Sequence, residues 1–227
     1  MKLFPHLFFP LLYGLFVVAM ALALVASSKP DAVGTITVDR LNLSLAPGDR
    51  PVLVFKSEEP VNVAVFRQRD FERGRPPVIA LPRVLDARLA MPTDVQESYV
   101  VVASRPVSVE VRPGRVEETT QKIRRGEDVE RAYVKFAGDR GTYQLIPRVA
   151  PGVVLKGRAE GRICLMTEAE FKRWRESGVV AGECFTGEFQ KKFEDFADVY
   201  LVVVEPGVVE YAVYATLEML LALGTCG

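Results

Sequence analysis

The side chains whose types and spacing bear on chemistry are few: one histidine, three cysteines and three sets of neighbouring carboxylates. His6 stands at the edge of an apolar segment, which deprives the rest of the chain of every histidine-dependent Ser or Cys triad. Zinc sites other than thiolate-rich ones are set aside for the same reason. Cys164, Cys184 and Cys226 form no CxxC pair, so a metal cluster is not expected. The sequence also lacks a phosphate loop of the GxxxxGKS/T type and a Ser-x-x-Lys nucleophile. Carboxylate hydrolysis would have to rest on Glu58 with Glu59, Glu117 with Glu118, or Glu168 with Glu170, and each pair reads more simply as a solvated turn or a helix cap. No catalytic, cofactor or metal residues are therefore expected, and the chain is expected not to be an enzyme.

Two positions invite covalent chemistry of a structural kind. Cys164 and Cys184 flank a short predicted helix, where a disulfide in an oxidising compartment would tie the helix and its following loop to the sheet. Closing a loop of about twenty residues is worth roughly 3 kcal/mol in the chain-entropy model. Buried free thiols are the alternative, and Cys226 is left over in either case. Asn42-Leu43-Ser44 is a sequon on what should be the wet face of a strand, making Asn42 the candidate for glycosylation.

The elements that must position these groups begin with an anchor. Twenty residues from Leu7 to Ala26 carry no charge, and as a helix they span roughly 30 Å, the hydrocarbon thickness of a bilayer. Lys2 and the small residues Val25-Ala26-Ser27-Ser28 also suit a cleaved signal peptide, but the length favours a retained signal-anchor over residues 1–30. Either way the remainder is exported. The 29 basic and 29 acidic residues cancel, leaving no net field for nucleic acid. Twenty arginines against nine lysines, with two Asn and five Gln, suit a heat-adapted source.

Beyond the anchor the pattern is β. Leu41, Leu43 and Leu45 alternate with polar residues, Ala46-Pro47-Gly48-Asp49 makes a turn, and Val61, Val63 and Val65 alternate again. The pattern then recurs. Val63-Ala64-Val65 and Asp70-Phe71-Glu72-Arg73 align at an offset of 100 with Ile163-Cys164-Leu165 and Glu170-Phe171-Lys172-Arg173. Tyr99 matches Tyr200 at an offset of 101, Pro106 matches Pro206, and Ala46-Pro47-Gly48 matches Ala150-Pro151-Gly152 at 104. The expected fold is mainly all-β: a transmembrane helix followed by two tandem antiparallel β-sandwich domains, 33–113 and 131–227. A charged linker or short exposed helix is expected at 114–130. Phe71 should superpose on Phe171 and Tyr99 on Tyr200, each buried. Thr167-Glu168-Ala169-Glu170 is a capping box that predicts a helix over 167–177, with Phe171 and Trp174 facing the sheet and Gly178 ending it. In the first copy Arg69 to Gly74 lacks the cap and should form a single turn. The run Met219-Leu220-Leu221-Ala222-Leu223 is too short to span a bilayer, and is expected to finish the last strand or to pack on the sandwich or a partner.

A strand, a short acidic helix built around Phe (Glu168-Ala169-Glu170-Phe171-Lys172-Arg173-Trp174) and a Tyr-led apolar strand (Asp198-Val199-Tyr200-Leu201-Val202-Val203-Val204) resemble Golgi-dynamics (GOLD)-like and related jelly-roll sandwiches. Such sandwiches occur in membrane-anchored envelope proteins of archaea and bacteria. The resemblance implies a binding or assembly role outside the cytoplasm and carries over no catalytic residue. The expected function is thus a non-catalytic, single-pass membrane protein whose ectodomain contacts another envelope or membrane protein, with residues 7–26 in the bilayer and no nucleic acid. An extracytoplasmic glycan- or solute-binding protein is the alternative, followed by a carboxylate-based hydrolase.

Overall fold

A computed structural model describes residues 35–46, 48–91 and 97–224; His6, the apolar segment 7–26 and Cys226 lie outside them. Among the described residues no helix is long and apolar enough to cross a membrane. The first half of the chain forms β1 (Thr35–Leu45), β2 (Val52–Arg67), α1 (Gln68–Glu72), β3 (Ile79–Ala90), β4 (Glu97–Arg112) and α2 (Val116–Arg124). The second forms β5 (Val129–Gly138), β6 (Tyr143–Val149), β7 (Val154–Thr167), α3 (Glu168–Ser177), β8 (Glu183–Lys192), β9 (Ala197–Val203), β10 (Gly207–Ala215) and α4 (Leu217–Gly224).

The strands make one antiparallel sheet in the order β1-β4-β2-β3-β5-β10-β7-β9-β6, with β8 paired to β7. Within that order one pattern occurs twice. In the first half β4 lies between β1 and β2, and β3 takes the other side of β2. In the second, β9 and β10 do the work of β4: they lie between β6 or β5 and β7, while β8 takes the other side of β7. The Ala-Pro-Gly matches are equivalent too. The Gly48 carbonyl accepts the Val116 N–H at the start of α2, and the Gly152 carbonyl accepts the Thr216 hydroxyl at the start of α4.

Strand pairing fixes the correspondence between the halves more finely than the sequence does. Val63 pairs with Ala103 and Val65 with Val101, just as Ile163 pairs with Val203 and Leu165 with Leu201, so the offset here is 100 throughout. Tyr99 therefore corresponds to Val199, and Tyr200 to Val100. Aligning the tyrosines at 101 slips the register by one residue, which exchanges the two faces of a strand. Tyr99 is accordingly 3% exposed in the core, whereas Tyr200 lies half-buried on the opposite face. Phe71 is half-buried and Phe171 buried, because α1 has only five residues to lay over its sheet and α3 has ten.

The long strands fold over. Phe185 and Phe189 of β8 have ring centroids 5.3 Å apart, and Lys191 reaches Glu183 at 2.7 Å. An extended strand would carry residues four apart about 13 Å from one another, and residues eight apart about 27 Å. β8 must therefore bend at Gly187, between the phenylalanines. The neighbouring strands break pairing nearby: β2 between Lys56 and Val61, and β7 between Ala159 and Ile163. Pro60 needs no ladder donor at such a break. Gly161 is required by close approach, since a Cβ there would lie 2.3 Å from the Glu205 carbonyl oxygen.

Folding the sheet encloses its odd-numbered face along β2, β4 and β7, where Leu53, Phe55, Val63, Val109, Leu155 and Ile163 are all under 3% exposed. Both halves contribute to this one core. Across it Tyr211 of β10 donates to the Gln144 side-chain oxygen on β6 at 2.6 Å, although β7 and β9 separate those strands in the sheet. Burial holds the Tyr211 hydroxyl well above its usual pKa.

Between the units expected at 33–113 and 131–227, the charged stretch 114–130 takes the second of its two expected forms, a short helix, α2, though one that is not wholly exposed. Ile123 supplies its buried anchor at 1% exposure. Glu117 and Glu118 in the first turn, with Lys122 and Arg124 in the last, suit the helix dipole. The halves then join edge to edge, β3 pairing with β5 from Val84 opposite Phe136 to Leu89 opposite Ala132. Arg83 clasps this seam, donating to the Ala137 carbonyl at 2.7 Å and pairing with Asp139 at 2.8 Å.

Candidate functional site

Of the carboxylates on which hydrolysis would rest, Glu59, Glu168 and Glu170 are engaged elsewhere. Glu59 pairs with Arg105, and Glu58 is exposed at the bend of β2. Glu117 and Glu118 open α2. Glu168 pairs with Lys172 at 2.6 Å, while Glu170 accepts the Thr167 N–H at 2.8 Å. The Thr167 hydroxyl in turn accepts the Glu170 N–H at 3.4 Å, which completes the capping box. Asn42 and Ser44 of the sequon are both exposed on β1. Among the described residues no group of three His, Cys, Asp or Glu side chains is placed to hold a metal ion.

Cys164 and Cys184 are joined by a disulfide, their Cα atoms 4.0 Å apart on directly opposed positions of β7 and β8. The equivalent pair in the first half, Ala64 opposite Ala80, has no sulfur. This bridge lies on the face turned away from the main core, where Cys164, Met166 and Val202 are covered by α3. Phe171 lies flat on Tyr200, with centroids 4.2 Å apart and planes 8° apart, and Tyr143 tilts against Phe171 at 4.7 Å. Trp174 was expected to face the sheet with Phe171. It contacts Phe171 at 5.8 Å but remains half-buried, because it lies one turn along at the rim of the cluster. Beside it a groove of about 550 Å³ opens between the end of α3 and the β5–β6 turn.

A second groove, of about 670 Å³, crosses the outer face of β5, β10 and β7. Strand register sets a ladder of alternating charge across it: Lys56, Asp86, Lys135, Glu210, Arg158 and Glu188, each directly opposite the next. Opposed unlike charges favour this register by a few tenths to about 1 kcal/mol per pair. Alongside, Arg88 holds both Glu130 oxygens, at 2.9 and 3.2 Å, and its guanidinium lies 4.1 Å from the Tyr133 ring centroid. The Glu130 hydrogen bond is the main reason that the Arg88 pKa is raised, and burial is the main reason that the Tyr133 pKa is raised. The ladder was not legible from the sequence, because its members come from six strands whose order and register are tertiary facts.

The third surface is apolar. A cleft of about 780 Å³ lies between α4 and the start of β9, with Phe196 and Leu223 on its walls at 55% and 48% exposure. α4 also exposes Leu217 at 40% and Leu221 at 62%, one turn apart. Only Met219 of this helix packs against the core. The expected alternatives for this tail included a last strand; a helix forms because Thr216 caps it, its hydroxyl accepting the Met219 N–H at 3.3 Å.

No protein-family model and no curated protein sequence matches the chain. Among solved structures the chain is similar to the protein YhaK from Escherichia coli, at 10% identity and a TM-score of 0.28, over 81% of this chain and 88% of that one. It is also similar to a cupin 2 conserved barrel domain protein from Leptotrichia buccalis, at 11% identity and a TM-score of 0.22, over 83% and 91%.

Proposed function

We propose that the chain is a membrane-anchored, extracytoplasmic protein without turnover of its own, which holds a partner protein of the cell envelope through the cleft beside α4. The observation that carries this is the exposure of Phe196 and Leu223 on the walls of one largely apolar cleft, with Leu217 and Leu221 exposed on the same helix as Leu223. Leaving such side chains in water is costly, whereas an apolar segment of a partner would cover them. Two further features support export and anchorage. The disulfide suits an oxidising compartment, and the uncharged stretch 7–26 has the length of a membrane span. The engagement of Glu59, Glu168 and Glu170 in a cap and ion pairs supports a binding role over hydrolysis.

The test is co-purification from detergent-solubilised membranes of the full chain and of a Phe196→Ser/Leu223→Ser variant. Because these side chains are exposed, the melting temperature should move by no more than a few degrees while a stoichiometric partner is lost. Undiminished co-purification from the variant refutes the cleft as the contact.

A further inference from the structure

The groove beside Trp174 combines basic and aromatic residues. Arg140, Gly141, Tyr143, Trp174, Arg175 and Gly178 line it, and none of these is acidic. Among the described residues Arg140 and Arg175 have no ion-pair partner, so both are available to an anion. The indole N–H of Trp174 likewise has no acceptor among them. Two arginines, a tryptophan and a tyrosine thus line one open space, with no carboxylate among the lining residues.

The walls are held in place before any ligand arrives. In the β5–β6 turn the Asp139 N–H donates to the Thr142 hydroxyl at 3.1 Å, and the Gly141 N–H donates to the Val203 carbonyl at 2.9 Å. On the other side α3 is started by its capping box, stopped by Gly178 at φ 70°, and fixed to the sheet by Phe171 over the disulfide. The first half provides an internal comparison. There α1 carries Phe71 but no tryptophan, and Arg40 of the chain itself lies over the ring at 4.9 Å. In the second half the exposed Tyr143 and the half-buried Trp174 line the groove beside two arginines that no carboxylate pairs among the described residues.

We propose that this groove binds a carboxylated sugar residue, its carboxylate held by Arg140 and Arg175 and its ring laid against Tyr143 and Trp174. The carboxylate follows from the guanidinium pair, whose planar forks match two oxygens. A sugar ring follows from the remainder of the wall. Its apolar face suits an aromatic side chain, and its hydroxyls accept from the indole and phenol donors while keeping the ligand compatible with a groove open to water. Inorganic phosphate would leave the rings unused, and a flexible acidic peptide would draw mainly on the arginines. This site is separate from the cleft beside α4, so either proposal stands if the other fails.

Trp174 is the only tryptophan in the chain, so its emission reports this site alone. The full chain in neutral detergent is titrated with trigalacturonate, with the same trisaccharide after reduction of its carboxyl groups, and with triglutamate. Expected is a saturable change with trigalacturonate and at least tenfold weaker binding of the other two. Arg140→Gln and Arg175→Gln should each weaken trigalacturonate at least tenfold without moving the melting temperature. Calorimetry with Trp174→Leu gives an independent readout and should show the same loss. No response to trigalacturonate, an equal response to the reduced sugar or to triglutamate, or full affinity in Trp174→Leu would each overturn the proposal.

Discussion

Replacing both bridging cysteines by alanine gives the best-posed perturbation of this fold, because the chain already contains the product. Ala64 and Ala80 occupy the equivalent cross-strand pair in the first half, so an alanine pair is compatible with this backbone. The cost of Cys164→Ala/Cys184→Ala should then come chiefly from the unfolded chain, which loses a cross-link spanning 20 residues. The chain-entropy relation gives about 3 kcal/mol for that loop at 25 °C. Cys164 is fully buried beneath Phe171, and removing its sulfur adds a packing loss of roughly 1 kcal/mol. The sum, about 4 kcal/mol, corresponds to a fall in melting temperature of roughly 8–16 °C for a domain of this size. Guanidinium titrations of the variant and of the oxidised and reduced parent, followed by both circular dichroism and Trp174 emission, measure it. The reduced parent should fall most of the way to the variant, and the two probes should coincide. A loss below about 1 kcal/mol would refute the loop-closure account. An early Trp174 transition with the sheet intact would refute it differently, by showing that the bridge secures α3 alone.

Three further outcomes follow from single contacts. Thr167→Ala removes the hydroxyl that accepts the Glu170 N–H, and should cost about 1 kcal/mol and shift Trp174 emission to the red as α3 frays. Tyr211→Phe strands the buried Gln144 side chain and should cost about 1–3 kcal/mol at pH 8 by denaturant titration. The same variant changes the alkaline limb. Burial raises the Tyr211 pKa, so its stabilisation is complete below the unfolded value of about 10 and declines as pH rises beyond it. Stability measured from pH 9 to 11.5 should therefore fall less steeply in Tyr211→Phe, and parallel slopes would contradict the assignment. Gly161→Ala places a Cβ 2.3 Å from the Glu205 carbonyl oxygen and 2.5 Å from that of Pro206, so it should lower the melting temperature by several degrees, whereas Gly126→Asn, with open space around it and a residue type that tolerates its left-handed φ, should do so less.

Patterns confined to one segment were legible in the sequence. The capping box, the single turn at residues 68–72 and the alternation along β2 all depend on neighbours within a few positions, and local chemistry specifies them. The repeat was also visible, because Phe71 and Phe171 sit on helices that follow equivalent strands. Its register at Tyr99 was misread, since a tyrosine at the start of an apolar strand looks alike on either face and only the strand partner reveals which face it takes. Arg115 to Arg131 allowed either a linker or a short exposed helix because its charge outweighs its few apolar residues; the helix forms, and its one isoleucine is buried. The grooves were not legible at all. Arg140 and Arg175 are 35 positions apart in the sequence, and nothing short of the packing of α3 against the β5–β6 turn brings them together.

The seam between β3 and β5 joins unlike edges, and a joint of that kind has no intrinsic stopping point. A union of like edges consumes both, whereas a head-to-tail union leaves one of each type exposed and can propagate into a fibre. Here β8 holds the position that β3 holds in the first half, and among the described residues β7 is its sole strand partner. Glu183 and Lys191 stand on β8 opposite Leu165 and Leu155, so they point into the mouth of the folded sheet, where they meet each other. An incoming strand would have to bury that ion pair, and inward charges of this sort are how natural sheets refuse further strands. The chain thus carries a polymerisable joint, used once within itself, together with the terminator that ends it at two.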